Sequence, residues 1–281
     1  MNLFSKNNII YLFKKHKIKP YKKLGQNFLI SEKIAKKIVN STNIKKNDII
    51  LEIGSGLGIL TYFLAKKAKK VIAIEKDSKI INISKQLLNN YKNIEFINED
   101  ILKLDILKLF KQLNIKNYKI IANLPYYISV YIIRLFLEIK NPPNEMILMV
   151  QKEVAERICN ISKKSNILNI SINFYAKSKI IFYVSKDFFW PKPKVDSAIL
   201  KIYNIKNKNL KINSDLFFKI LKTGFSNPRK KLINNLSTGL KIKKDFLYTL
   251  FKKNKIDLNK RAEDLNLDDW INLVKDIINL I

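Results

Sequence analysis

Apolar positions along the first two-thirds of the chain switch between two periods. Short runs dense in β-branched side chains, at Asp48–Ile53, Val71–Glu75, Ile94–Ile97, Tyr118–Ala122 and Met146–Val150, read as strands buried on both faces. Between them apolar residues recur at helical spacing. Ile34, Ile38 and Val39 follow Ser31 as an N-cap with Glu32 in the first turn; Leu60, Phe63 and Leu64 mark the next helix, and another runs from Gln151 to Ile161. Strands separated by helices predict a parallel sheet with helices on both faces. Two later runs, Lys179–Val184 and Ala198–Tyr203, flank Trp190-Pro191-Lys192-Pro193-Lys194, a short gap that suits an antiparallel pair at one edge.

The ends of the chain read differently. Residues 1–23 are basic and are expected to be irregular or a short helix. Gly25-Gln26-Asn27-Phe28-Leu29 is polar and turn-like around one exposed-looking aromatic, Phe28. The Asn/Lys-rich stretch Asn204–Asn213 is the expected linker. Beyond it only helical periodicity remains, at Leu216–Phe225, Arg229–Leu236, Phe246–Phe251 and Leu267–Leu280. The expected organisation is therefore an α/β domain over residues 1–205 and a small helical domain over 206–281.

The first chemical signal is Glu52-Ile-Gly54-Ser-Gly56-Leu-Gly58, between the first strand and its helix. Such a turn brings bare backbone N–H groups and a helix N-terminus up to a ligand. Seen alone, it also fits a merely tight turn. A nicotinamide or flavin dinucleotide wants G-x-G-x-x-G, and here the third glycine comes one residue early. The acid at Glu52 suits a cationic amino-acid ligand, so S-adenosylmethionine fits better than a pyrophosphate. Ligands of open α/β sheets sit outside the carboxyl ends of the strands, and Glu75, Asp100 and Asn123 fall at three successive ends. Glu75, 19 residues after Gly56, is placed for ribose hydroxyls. Asp100 can accept from an adenine amine while Ile101 packs on the ring.

Asn123-Leu124-Pro125-Tyr126 is the most specific signal. An exocyclic amine on adenine is a poor nucleophile because its lone pair is delocalised. A side-chain amide oxygen and a backbone carbonyl that accept its hydrogens draw the nitrogen towards sp³ geometry. Proline restrains that carbonyl, and Tyr126 can stack on a base flipped out of its helix. Positioning and polarisation then carry the reaction without a general base. The competing reading is a strand ending in an Asn-Pro turn, with Tyr127 and Tyr131 in the core.

Charge adds a partner. With 54 basic and 23 acidic residues the formal charge is +31, which points to a polyanion. The inference is discounted because 50 of the 54 are lysine and only four arginine, a drift that also favours Ile and Asn. Single Cys159 and single His16 exclude an intrachain disulfide, a Cys-based zinc site and a His-centred triad. Cys159 is expected on a helix as a small core residue. No metal is expected. The apolar-leaning run Ile120–Ile133 is short for a membrane span and contains Pro125, and the lysine-rich start reads as a basic arm on a cytoplasmic protein.

Five linked motifs carry a family resemblance: Lys23-Leu24-Gly25-Gln26-Asn27-Phe28-Leu29, the glycine loop, Asn123–Tyr126, Val150–Arg157 and Pro191-Lys-Pro-Lys-Val-Asp196-Ser197. Together they resemble the ribosomal RNA adenine N6,N6-dimethyltransferases, most closely the small-subunit members, from about residue 10 to Lys260-Arg261-Ala262-Glu263. The resemblance implies a Rossmann-like class I methyltransferase domain with a mostly parallel seven-stranded sheet. It implies S-adenosylmethionine held by Asn27, Leu29, Gly54, Gly56, Glu75, Asp100, Ile101 and Asn123, with catalysis at Asn123, Leu124, Pro125 and Tyr126. It implies two adjacent adenines near the 3′ end of small-subunit RNA, each methylated twice, on a pre-small-subunit particle. Phe28, Arg229, Lys230, Lys231 and the helical tail would meet RNA, and the protein is expected to act as a monomer. Ser55 stands where the family usually has proline, Pro228-Arg229-Lys230 replaces Arg-Arg-Lys, and Asn166–Ile170 departs from Gly-x-Leu-Ser-Val. The alternatives are a large-subunit RNA methylase of the antibiotic-resistance type and a non-catalytic nucleic-acid-binding protein on the same fold. Leu124 and Asp196-Ser197-Ala198 favour the small-subunit branch, and the intact Asn123–Tyr126 run argues against lost activity.

Overall fold

A computed structural model describes residues 4–21, 25–205 and 212–280. Lys23 and Leu24 of the first motif, and most of the expected linker, lie outside the described residues. The chain forms two compact units, one from Met1–Ala155 with Ser178–Ile205 and the other from Glu156–Lys177 with Lys206–Ile281.

Seven strands make the sheet of the first unit: β1 Ile49–Ile53, β2 Lys70–Glu75, β3 Ile94–Asn98, β4 Lys119–Asn123, β5 Met146–Gln151, β6 Lys177–Val184 and β7 Ser197–Tyr203. Their order is β3-β2-β1-β4-β5-β7-β6. Strands β1 to β5 pair in parallel, and β7 is antiparallel to β5 with Gln151 opposite Ser197. Residues 50, 51 and 53 of β1, 71–74 of β2 and 120–122 of β4 are almost wholly buried. Their β-branched side chains fit a pleated surface covered on both sides. Because β1 lies between β2 and β4, the chain order reverses there. The carboxyl ends of β1 and β4 diverge into a crevice at that reversal.

Helices pack on this sheet with caps supplied by the sequence. Ser31 Oγ accepts the Ile34 N–H at 3.3 Å and starts the helix Glu32–Asn40, as expected. Asp77 Oδ1 accepts the N–H groups of Lys79 and Ile80 and starts the helix Ser78–Leu87. The helix after β5 is shorter than the pattern suggested, Lys152–Ile158. Asn160 and Lys163, both at positive φ, follow it, and Cys159 lies in that turn, only partly buried.

The N-terminal arm forms the short helix that was one of its two expected states, but Phe28 departs from expectation. Ser5 caps a helix, Lys6–Lys15, whose Ile9 and Phe13 are buried. Phe28–Leu29 pairs antiparallel with Phe189–Trp190. Phe28 is therefore not exposed: 8% of it meets solvent, and Phe13 stands edge-on 5.2 Å away. Phe13 also stands edge-on to Trp190, at 5.1 Å. A cluster assembled from such distant positions leaves no local period to read.

The second unit contains the helices Ile167–Tyr175, Ser214–Gly224, Leu232–Leu240, Lys244–Lys253 and Leu267–Ile278. Trp270, Phe217, Leu236, Phe251 and Leu273 form its core. Residues 156–177 belong here, and not with the sheet as the expected boundary had it. Phe174 stacks on Phe217 at 4.3 Å, and the Ser165 N–H donates to the Glu263 carbonyl at 2.8 Å. The unusual Asn166–Ile170 run forms a reciprocal cap: Asn166 Oδ1 accepts from Asn169 N–H, and Asn169 Oδ1 from Asn166 N–H. The helix expected from Arg229 begins at Leu232, because Asn227–Lys230 closes as a turn first.

Gly58 tests how tightly the β1 loop is set. It takes φ of 88° at the start of the helix Ile59–Ala65, and a Cβ there would meet Ser84 Oγ at 2.5 Å and Leu88 Cδ1 at 2.7 Å. Gly58→Ala should cost about 2–4 kcal/mol from the left-handed backbone and overpacking together. Urea denaturation measures it; an unchanged midpoint would mean the loop is loose.

Candidate active site

The sheet positions a cleft at the ends of β1 to β4, closed on one side by the N-terminal segment. Asn27, Phe28, Leu29, Gly54, Gly56, Glu75, Asp100, Ile101, Asn123, Leu124, Pro125 and Tyr126 all line it. Arg229, Lys230 and Lys231 are exposed in the second unit, in and just after the turn before Leu232–Leu240. Lys231 Nζ donates to Asn259 Oδ1 at 2.6 Å.

Glu75 ties the glycine loop to β2. Its Oε2 accepts the Gly56 N–H and its Oε1 the Asp77 N–H, each at 2.9 Å. Every carboxylate oxygen keeps a second lone pair for a ligand hydroxyl. Burial holds the Glu75 carboxyl above its ordinary pKa, an effect opposed by these N–H donors. Two residues that the sequence reading overlooked extend this node. Gln26 Nε2 donates to Asp77 Oδ2 at 2.9 Å, while Gln26 Oε1 accepts the Tyr21 N–H at 2.7 Å. Asp77 was visible as a helix cap after a strand; Gln26 had no signal, since its partner lies 51 positions away.

Asp100 carries the second acid. Lys76 Nζ lies 2.8 Å from its Oδ2 and the Leu102 N–H donates to Oδ1. The Lys76 contact is the main reason its carboxyl stays below the ordinary carboxylate value. Glu52 corrects an expectation. It is 1% exposed and accepts from Thr61 Oγ1 at 2.6 Å. Burial pushes its pKa up to about 8, helped by the charge of Glu75, so it is neutral rather than an anion facing a cationic ligand. Glu75 and Asp100 remain as the carboxylates at the β2 and β3 ends of the cleft.

At the end of β4 two acceptors are free of internal partners. Among the described residues, neither the Asn123 side-chain amide nor the Leu124 carbonyl takes part in a hydrogen bond. The Pro125 carbonyl, by contrast, accepts from the Ile128 N–H. A Cβ on Gly54 would approach Pro125 Cδ to 3.4 Å, so the loop and Asn123–Tyr126 are in contact. Tyr126 is half-buried, whereas Tyr127 and Tyr131 are exposed and not core. No group of three or more His, Cys, Asp or Glu among the described residues could hold a metal.

The strand order, the glycine loop and an acid at the β2 end together define a Rossmann-like class I methyltransferase, whose methyl donor is S-adenosylmethionine. The fit is chemical: carboxylates at Glu75 and Asp100 for hydroxyl and amine hydrogens, and apolar walls at Leu29 and Ile101 for a ring. The family is narrower. The model of the ribosomal RNA adenine dimethylase family matches residues 16–279, and the chain belongs to that family.

A ribosomal RNA small subunit methyltransferase A from Alkaliphilus oremlandii is 40% identical over 264 residues, covering 92% of each chain. Among solved structures, a dimethyladenosine transferase from Plasmodium falciparum is similar with a TM-score of 0.75 and 28% identity, covering 89% of this chain and 96% of that one. The 23S rRNA methyltransferase ErmE is similar in fold alone, with a TM-score of 0.73 and 20% identity over 90% of this chain and all of its own.

Two outcomes follow from this geometry. In the unfolded chain Glu52 ionises near 4.5, but in the fold it keeps its proton to about 8. The folded state thus binds more protons in that window, and stability falls as pH rises from about 4.5 to about 8. Glu52→Gln should remove this fall in urea titrations across pH; identical pH slopes for both proteins would contradict it. Glu75→Ala should weaken S-adenosylmethionine binding by roughly 1.5–3 kcal/mol. Titration calorimetry reporting an unchanged Kd would remove Glu75 from the site.

Proposed function

We propose that the protein dimethylates the N6 amines of two adjacent adenosines near the 3′ end of small-subunit ribosomal RNA, acting as a cytoplasmic monomer on the pre-small-subunit particle. The observation that carries the reading is the pair of unpartnered acceptors, Asn123 amide and Leu124 carbonyl, beside the glycine loop. The identity to a small-subunit enzyme, twice that to the 23S enzyme, supports the choice of subunit. No helix among the described residues is long and apolar enough to cross a membrane.

When bound, S-adenosylmethionine supplies a methyl group on a positively charged sulfur; transfer breaks that C–S bond, forms a C–N bond and leaves the amine one proton to release. Asn123 and Leu124 accept the two amine hydrogens and turn the nitrogen lone pair out of conjugation. Pro125 restrains the Leu124 carbonyl, because the residue before proline is held extended. The Tyr126 ring receives the face of the flipped base. Among the described residues neither His nor Cys lines the cleft, and none is needed, since the nitrogen is cationic and acidic once methylated. Asn27, Leu29, Gly54, Gly56, Glu75, Asp100 and Ile101 would hold the donor. Exposed Arg229, Lys230 and Lys231 are assigned to the RNA through phosphates, whereas Phe28, buried against Phe13, is left as part of the cleft wall.

Asn123→Ala should lower kcat by about 10²–10³, the range for losing one positioned polar contact. RNA affinity should barely change, because phosphate contacts dominate it. Single-turnover assays on small-subunit RNA measure both; a normal rate would exclude Asn123 from the chemistry.

A further inference from the structure

Tyr126 is held at both ends by serines with no exposure to solvent. Its phenol shares a hydrogen bond of 2.8 Å with Ser197 Oγ, in which either oxygen can donate, and Ser129 Oγ donates to its carbonyl at 3.0 Å. Ser129 begins the helix Ser129–Glu138, which follows the 3-10 turn Tyr126–Ile128. Ser197 comes from 71 positions away, as the first residue of β7. Its backbone is fixed from both sides. Gln151 of β5 stands opposite it, and the preceding Asp196 accepts the Lys152 N–H at its carbonyl and the Lys186 N–H at Oδ1, both at 3.0 Å. β5 in turn pairs with β4, with Met149 opposite Asn123. The ring and the Asn123 amide are thus mounted on one hydrogen-bonded frame.

We propose that Ser197 is a positioning residue that sets the Tyr126 ring for methyl transfer, and that the second transfer to each adenine depends on it more than the first. The inference rests on the reading of Asn123–Tyr126 as the place of transfer. An unmodified amine offers two hydrogens, to Asn123 and to Leu124. A monomethylated amine offers one, so half of the hydrogen-bond guidance is gone. Stacking on Tyr126 then carries a larger share of the alignment, and a ring free to swing about its side-chain torsions no longer supplies it.

The test follows unmodified, monomethyl and dimethyl adenosine over time by mass spectrometry, for Ser197→Ala, Tyr126→Phe and the double variant. Each single variant should slow the second transfer roughly tenfold, the effect of one hydrogen bond, and slow the first less. Monomethyladenosine should accumulate, with S-adenosylmethionine Kd unchanged. The double variant should be no slower than either single one, since both remove the same bond. Three results would overturn the proposal: an unaltered second step in an active Ser197→Ala enzyme, losses that multiply in the double variant, or a fall in cofactor affinity matching the fall in rate. Should Ser197→Ala fail to fold, Tyr126→Phe decides alone, because it removes the same bond from the half-buried partner. Failure of the underlying reading looks different: the unmutated protein would leave adenine unmethylated.

Discussion

The hydrogen bond between the Gly56 N–H and the Glu75 carboxylate is the constraint on which the cleft depends. It joins the loop after β1 to the end of β2, and Gly54 carries the loop on to Pro125 beyond β4. Glu75 also receives the Asp77 N–H, and Asp77 both caps a helix and takes the Gln26 amide. One carboxylate therefore fixes the glycine loop, the following helix and the N-terminal segment in a common frame. A buried carboxylate satisfied by backbone N–H groups is costly to break, because any lost donor leaves desolvated charge. Glu75 also lines the cleft, so this structural node forms part of its wall.

The chemistry asks little of acid or base and much of placement. Among the described residues Asn123 and Leu124 present acceptors without internal partners, while the Pro125 carbonyl and the Tyr126 phenol are bonded. Glu52 shows the division: buried against Thr61 and neutral, it leaves the carboxylates of the cleft to Glu75 and Asp100. The cations divide in a similar way. Lys119 pairs with Asp48 and Glu145, and Lys201 with Glu145, near the amino ends of the parallel strands. Arg229 and Lys230 remain exposed in the second unit. The net charge alone could not have distinguished these two populations.

Legibility in the sequence followed the range of the interactions. Local signals read well: the strand runs, the Ser31 cap, the glycine loop, and acids or amides at successive strand ends, which are the residues that line the cleft. Strand limits moved by only a residue or so. What failed was long-range. Phe28 looked exposed in a polar turn and is buried by Phe13, whose ring also meets Trp190. Residues 156–177 read as part of the sheet domain, yet Phe174 finds its partner at Phe217. Glu52 was read as a free acid because burial cannot be seen beside a glycine. Ser197 was recognised within a motif, but its task appears only when β7 brings it to Tyr126.

The proposed role of the Asn123 and Leu124 acceptors in N6-dimethylation of small-subunit RNA can be tested on the products themselves. The most direct measurement supplies methyl-labelled S-adenosylmethionine to the unmutated protein with small-subunit particles or with large-subunit RNA, then separates the labelled nucleosides. N6,N6-dimethyladenosine should form at two adjacent positions of the small-subunit RNA, with almost no label in the large. Label in the large-subunit RNA, or monomethyladenosine as the sole final product, would contradict the proposal.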